Sequence, residues 1–311
     1  MLPFIQALLP VIVIVAIGRF LAWRRVIDAA GWSGIERVSY FLLFPALIIR
    51  EIAHAPLSTA PWGLAAALIA AQLALGSIGL LARTDNAQTG LGRPAKGSII
   101  QSNVRWTAFV ALSLAGALFG SEGLALVAIS AAAMIPIANI LSVAALTKFA
   151  DTKNGKKPNV LRDLAFNPLI IACVVGIGLN LIKLPPTGVA DKTLQLMGQS
   201  VIALGLLTAG AGVDLSALKR SGLRTFTWSF TRLLALPAFA LGFGILLGLP
   251  RMHIIIAVIC TATPTATNCY ILAKQLGGDA PLSANLIAVQ TVLSIITMPA
   301  LYFLTLQVIG H

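Results

Sequence analysis

"ICTATPTATNCYILAKQLGGD", residues 259–279, is the stretch that decides how this chain is read. Its first half is small and polar around Pro264, yet it lies inside a run otherwise apolar enough to cross a bilayer, which takes about twenty residues. Proline removes a backbone donor and crowds the preceding turn, so the carbonyls it frees need other partners. Within hydrocarbon such backbone survives only where it is buried in protein or lines a cavity. The stretch therefore predicts a broken membrane helix built around a site.

The composition around it agrees. Hydrophobic residues make up 58% of the 311 and charged residues 10%, with a mean hydropathy of +0.92, which fits a polytopic helical membrane protein and no ordinary soluble core. The net charge of +12 falls largely in short gaps between apolar runs, where topology uses it, so nucleic acid is not an expected partner. Cys173, Cys260 and Cys269 match no metal or redox spacing and read as small core residues. In "MLPFIQALLPVIVIVAIGRFLAWRR" the positive charge follows the apolar stretch and no small-x-small cleavage site appears, so it reads as a first span.

Ten runs are long enough to span, near 2–22, 37–54, 61–82, 98–118, 123–147, 164–182, 193–213, 226–248, 252–275 and 281–308. The hydrophilic gap "KFADTKNGKKPNVLRD", 148–163, divides them into five and five, giving a first repeat at 1–147, a linker, and a second repeat at 164–311. Shifting the sequence by 158 positions superposes Pro10 on Pro168, Gly18 on Gly176, Leu57-Ser58 on Leu215-Ser216, Gly90-Leu91 on Gly248-Leu249, Arg93 on Arg251 and Gly120 on Gly278. An odd number of spans per unit inserts the second copy upside down, an inverted repeat of the kind secondary transporters use. Fifteen Lys and Arg, from Arg24 and Arg25 through Lys156 and Lys157 to Lys274, share one set of gaps, and only Lys183, Lys192 and Arg251 the other. The positive-inside rule then places the linker in the cytoplasm and both termini outside.

The same shift lays the fourth span, "IIQSNVRWTAFVALSLAGALFG" (99–120), on the ninth, "AVICTATPTATNCYILAKQLGG" (257–278), and both are polar in their first halves. Two broken helices crossing at the midplane would gather their freed groups around one site.

"TPTATNCYILAKQLGGDAPLSANLIAVQTVLSIITMPAL" (263–301), "FLLFPALI" (41–48) and "LFGSEGLALVAISAAAMIPIANILSV" (118–143) resemble the bacterial auxin efflux carrier family, relatives of the plant auxin exporters. The resemblance covers essentially the whole chain. It implies ten helices in two inverted five-helix repeats, crossed fourth and ninth helices, a scaffold and homodimer surface from the first two spans and their mates, and small organic anions such as malonate as cargo. Two features depart from the family. Many bacterial members resemble Arg-aromatic-Asn-Thr where this chain has Arg105-Trp106-Thr107-Ala108, with its asparagine at Asn103, and the long cytoplasmic loop of the plant exporters is absent.

Arg105 lies about 10 Å into its span, at 1.5 Å per residue, and a charge that deep usually faces a cavity or a partner. Arg19, Arg50 and Arg232 are expected to snorkel to the surface. No Asp or Glu is placed near the middle of a span, so a buried carboxylate relay is not expected and the lone central cation suits an anionic cargo. Asn139 and Asn268 could donate to a carboxylate or hold helices together, and Thr263, Thr265 and Thr267 could cap freed carbonyls. Pro45 and Pro136 are expected to kink their helices, and His54 and His253 to lie near the outer surface. The candidate substrate site is Asn103, Arg105, Thr107, Asn139, Thr263, Pro264, Thr265 and Asn268.

No nucleophile–base pair, metal-ligand cluster or phosphate loop is in view, so neither an enzyme nor a cofactor is expected. The reading is a secondary transporter of small organic anions in the inner membrane of a bacterium, working by alternating access. An ion or solute channel, or a cation-coupled symporter of the related bile acid type, is the alternative.

Overall fold

The computed structural model describes residues 2–54, 61–80, 92–150, 168–214, 216–217 and 221–310. All regular structure among them is helical: α1 (Leu2–Trp23), α2 (Ala29–Val38), a π turn (Ser39–Leu43), α3 (Phe44–His54), α4 (Trp62–Leu80), α5 (Arg93–Val104), α6 (Ala108–Phe149), α7 (Pro168–Leu181), α8 (Gly188–Ala211), α9 (Leu223–Leu246), α10 (Arg251–Ala262), α11 (Cys269–Leu276) and α12 (Ala280–Val308). Seven stretches among the described residues are long and apolar enough to cross a membrane, so the chain is an all-α, multi-span membrane protein. Large exposed apolar side chains such as Phe20, Val174, Leu196 and Ile296 suit a lipid-facing surface. The expected linker, 148–163, lies outside the described residues beyond Ala150, as do the matched Leu57-Ser58, Leu215 and Gly90-Leu91.

Two helices depart from straightness for identifiable reasons. Pro45 has no N–H for the carbonyl four residues before it, and the preceding turn widens so that the Phe44 N–H reaches Ser39 O. The 42 residues of α6 would run about 63 Å if straight, roughly two hydrocarbon cores. Gly120 interrupts them at φ 60°, ψ −143°, and a Cβ at Gly116 would touch Leu124, so the chain doubles back there.

Several features recur 158 positions apart. α1 ends at Trp23 and α7 at Leu181, and Arg25 and Lys183, just past those ends, share a left-handed φ of 55°. α5 and α10 start at Arg93 and Arg251 and stop at Val104 and Ala262. Gly18 on α1 abuts Leu207 on α8, while Gly176 on α7 abuts Ile49 on α3, so the two contacts exchange partners at that offset.

The chain divides into two compact units, each drawn from both halves of the sequence. The first contains Met1–Ala65, Ala108–Ala132 and Leu161–Gly212. In it α1 packs along α8, and α3 along α7 and α8. The approach is close: a Cβ on Gly18 or Gly210 would run into the carbonyl of Leu207 or Val15, as expected where membrane helices meet through small residues. Arg50, expected to reach the surface, is part-exposed and paired. Its guanidinium pairs with the adjacent Glu51 and with Asp191, 141 residues away, at 2.8 Å each.

The second unit contains Ala66–Thr107, Ala133–Val160 and Val213–His311. There α9 packs on α10 and α12, and α5 packs on α9, α11 and α12. Gly97 lets α5 press against Leu146 of α6, and Gly278 does the same beside Ser98.

Candidate functional site

Two helices of the second unit stop short. α5 ends at Val104 and α6 begins at Ala108, leaving Arg105 extended at φ −85°, ψ 155° and Thr107 at φ −99°, ψ 96°. α10 ends at Ala262 and α11 begins at Cys269, with Thr263 extended at φ −64°, ψ 153°. The two gaps are bonded to each other. The Thr107 N–H donates to Pro264 O at 3.0 Å, and its hydroxyl lies 3.1 and 3.2 Å from the carbonyls of Pro264 and Thr265.

Pro264 accounts for the second break, but the first has no proline. Four side chains serve the backbone of the two breaks, Gln72 and Arg232 that of the first. Gln72 on α4 donates to Val104 O at 2.8 Å and to Met134 O at 3.3 Å. Gln101 donates to Cys269 O at 2.8 Å, while Gln290 on α12 accepts from the Thr265 N–H at 3.0 Å and donates to Ser102 Oγ at 2.8 Å. Arg232 on α9 donates to Thr261 O at 2.6 Å and to Arg105 O at 3.0 Å, so one guanidinium joins the C-terminal ends of α5 and α10. All four side chains are fully buried, where an unpaired carbonyl would find no water. The expectation that Arg232 snorkels is therefore corrected: it is 0% exposed, held inward by carbonyls that the broken helices leave without intrahelical partners. Sequence reasoning missed these four. The available signal was a single glutamine in each of the apolar runs "AAQLAL" and "AVQTVL".

Arg105 itself points elsewhere. Its Nη1 lies 2.9 Å from Asn139 Oδ1 and its Nη2 3.0 Å from Asn268 Oδ1. A guanidinium only donates, so both carboxamides must turn their oxygens toward it, which leaves their NH₂ groups as further donors. All three residues are partly exposed, and no carboxylate pairs with Arg105 among the described residues. Asn139 comes from the second leg of α6, past the reversal at Gly120, and reaches the arginine from within that leg.

The eight candidate residues thus fall into two groups. Arg105, Asn139 and Asn268 form an accessible, donor-rich trio. Asn103, Thr107, Thr263, Pro264 and Thr265 are buried. Thr107 ties the gaps together, the Thr263 hydroxyl donates to Cys260 O at 2.9 Å, and Thr265 Oγ1 lies 3.3 Å from Cys269 Sγ. Asn103 Nδ2 has no hydrogen-bond partner among the described residues, nor do Trp106 Nε1 and Arg232 Nε. No group of three His, Cys, Asp or Glu that could hold a metal gathers among the described residues.

Interrupted, cross-bonded helices around a part-exposed arginine, in a chain this apolar, suit a membrane transporter. The chain belongs to the auxin efflux carrier family: the family model, described as membrane transport protein, matches residues 3–302. It is 24% identical over 302 residues to an uncharacterized transporter of Methanothermobacter thermautotrophicus, across 94% of this chain and 96% of that relative. It is 25% identical over 197 residues to a Rhizobium meliloti protein provisionally named a malonate transporter, across 58% of this chain and 61% of the relative. Family membership and the apolar helices make it a secondary transporter of small organic solutes, not an enzyme.

Proposed function

We propose that the chain carries small organic anions, gripping a carboxylate of the cargo with Arg105 between Asn139 and Asn268. The observation that carries this reading is the arginine's environment: two neutral carboxamides, no carboxylate partner among the described residues, and partial exposure beside two interrupted helices. Guanidinium and carboxylate form paired, charge-assisted hydrogen bonds, and the freed amide NH₂ groups add donors suited to an anion. The name of the Rhizobium meliloti relative points to the same class of cargo.

The carrier works by alternating access, with ten crossings in two inverted five-helix repeats. Helix ends and glycine contacts that recur at the offset of 158 support the repeat. On this reading the linker at 148–163 is cytoplasmic, both termini face the periplasm, and the bilayer is a bacterial inner membrane. A homodimer is the assembly that the family resemblance implies.

Calorimetry on the purified protein with malonate, within a panel of mono- and dicarboxylates, tests the assignment, with uptake into liposomes as the functional arm. Arg105→Ala should nearly abolish binding, and Arg105→Lys should retain part of it, keeping the charge but losing the planar fork. Should Arg105→Ala bind and carry the anion as the parent does, the site is misassigned.

A further inference from the structure

The first unit contains a cavity of about 550 Å³, within the size range of small-molecule sites. It owes nothing to the Arg105 trio. Leu112 and Ile202 contribute apolar wall, while Arg50, Glu51, Gln195 and Gln199 contribute polar groups. Arg50 is the sole basic residue lining it among the described residues, and its charge is already committed: Nη1 to Glu51 Oε1 at 2.8 Å, Nε to Asp191 Oδ1 at 2.8 Å, and Nη2 to Asp191 Oδ2 at 3.4 Å. One guanidinium facing two carboxylates leaves an excess negative charge.

That excess is not shared evenly. The Asp191 side chain is 26% exposed, with His54 Nε2 on it at 3.8 Å and that imidazole 40% exposed, so solvent serves both. Glu51 is 5% exposed. Its Oε1 accepts from Arg50, no bond from a described residue reaches its Oε2, and Glu51 lines the cavity. A carboxylate lining a cavity favours a cation there, and an anion entering would meet like charge.

We infer that this cavity is a second ligand site, specific for the primary ammonium group of a small organic molecule, with Glu51 Oε2 accepting from the ammonium. An ammonium brings three donors and the compensating charge. A short alkyl stem would lie on Leu112 and Ile202, and Gln195 and Gln199, one helical turn apart on α8, would take a polar far end. The site is opposite in charge preference to the one at Arg105. Its ammonium could come from a soluble amine or from a phosphatidylethanolamine headgroup, since the chain lies in a bilayer.

The two sources are separated by measuring the full chain in lipid-free detergent with butylamine, and in nanodiscs of phosphatidylethanolamine against phosphatidylcholine. Calorimetry reads the first, and native mass spectrometry of retained lipid the second. Binding in either arm is expected, with tetramethylammonium, which has no N–H, and sodium both weaker. Glu51→Gln should weaken binding by about tenfold or more, the scale of one charge-assisted hydrogen bond. Ser113→Leu, which fills the cavity and leaves Glu51 in place, should do the same and decides the matter if Glu51→Gln does not fold. No binding in either arm, binding that both variants preserve, or sodium binding as tight as butylamine would overturn the inference.

Discussion

Replacing Arg232 by methionine removes the guanidinium that joins Thr261 O to Arg105 O while keeping an unbranched stem. The side chain is 0% exposed, so neither carbonyl gains water in exchange. A hydrogen bond from a charged donor contributes about 1.5–3 kcal/mol, so two would give about 3–6 kcal/mol. Releasing a buried charge from its desolvation returns part of this, on the order of 1–2 kcal/mol. The net expected loss is about 2–4 kcal/mol, or about 3–6 °C in Tm for a chain of this size. Thermal unfolding in detergent measures it directly. Arg232→Lys should fall between, because a compact ammonium reaches one carbonyl well and the second poorly. The comparison that matters is with Arg105→Ala, which should lose malonate binding yet stay within about 2 °C of the parent, since it leaves two part-exposed carboxamides open to solvent. If Arg232→Met melted and bound malonate as the parent does, the guanidinium would not be a brace between the broken helices.

Thr107→Val keeps the backbone bond to Pro264 and loses the hydroxyl's, so it should cost about 1–2 kcal/mol and weaken malonate binding, read by melting and calorimetry. Gly120→Ala meets no atom within 4 Å but forces an L-residue to φ 60°, ψ −143°, so a stability loss of about 1–3 kcal/mol is expected from backbone strain alone. An unchanged Tm would contradict a reversal fixed by that glycine. A reporter fused within 148–163 should report cytoplasm, and one fused after His311 periplasm; the opposite pair would invert the proposed orientation.

Pro264 and the charge at Arg105 were legible because each is an anomaly within its own run: a proline and an arginine where hydrocarbon demands neither. The offset of 158 was legible for a similar reason, since glycine, proline and arginine mark positions that abundant leucine does not. Depth was not legible. Arg232 occupies a run of 24 helical residues much as a snorkelling arginine would, and only the carbonyls it serves, 29 and 127 positions away, draw it inward. Glu51 shows the same limit. It stands near the end of its helix, where a carboxylate is expected to meet water, yet contacts across the first unit leave it 5% exposed. The first break lacked a proline signal because its cause is distributed: Gln72 on one helix and Arg232 on another each supply a donor, and neither residue breaks a helix by itself.

The electrostatics of the crossing explain why two arginines are present and why they do different work. α5 and α10 both end there, and each C-terminus carries about half a negative charge on its unpaired carbonyls. Arg232 bonds to carbonyls at those two ends, so its single positive charge is offset locally. Arg105 is held by amide oxygens that carry no net charge, and its own remains uncompensated by any carboxylate among the described residues. The pair therefore leaves about one positive charge at the accessible trio, matched to one carboxylate of a bound anion. Lysine at 105 would preserve that sum and lose the two-pronged grip. Methionine at 232 would expose the helix ends to Arg105, whose guanidinium would then be drawn toward carbonyls and away from cargo.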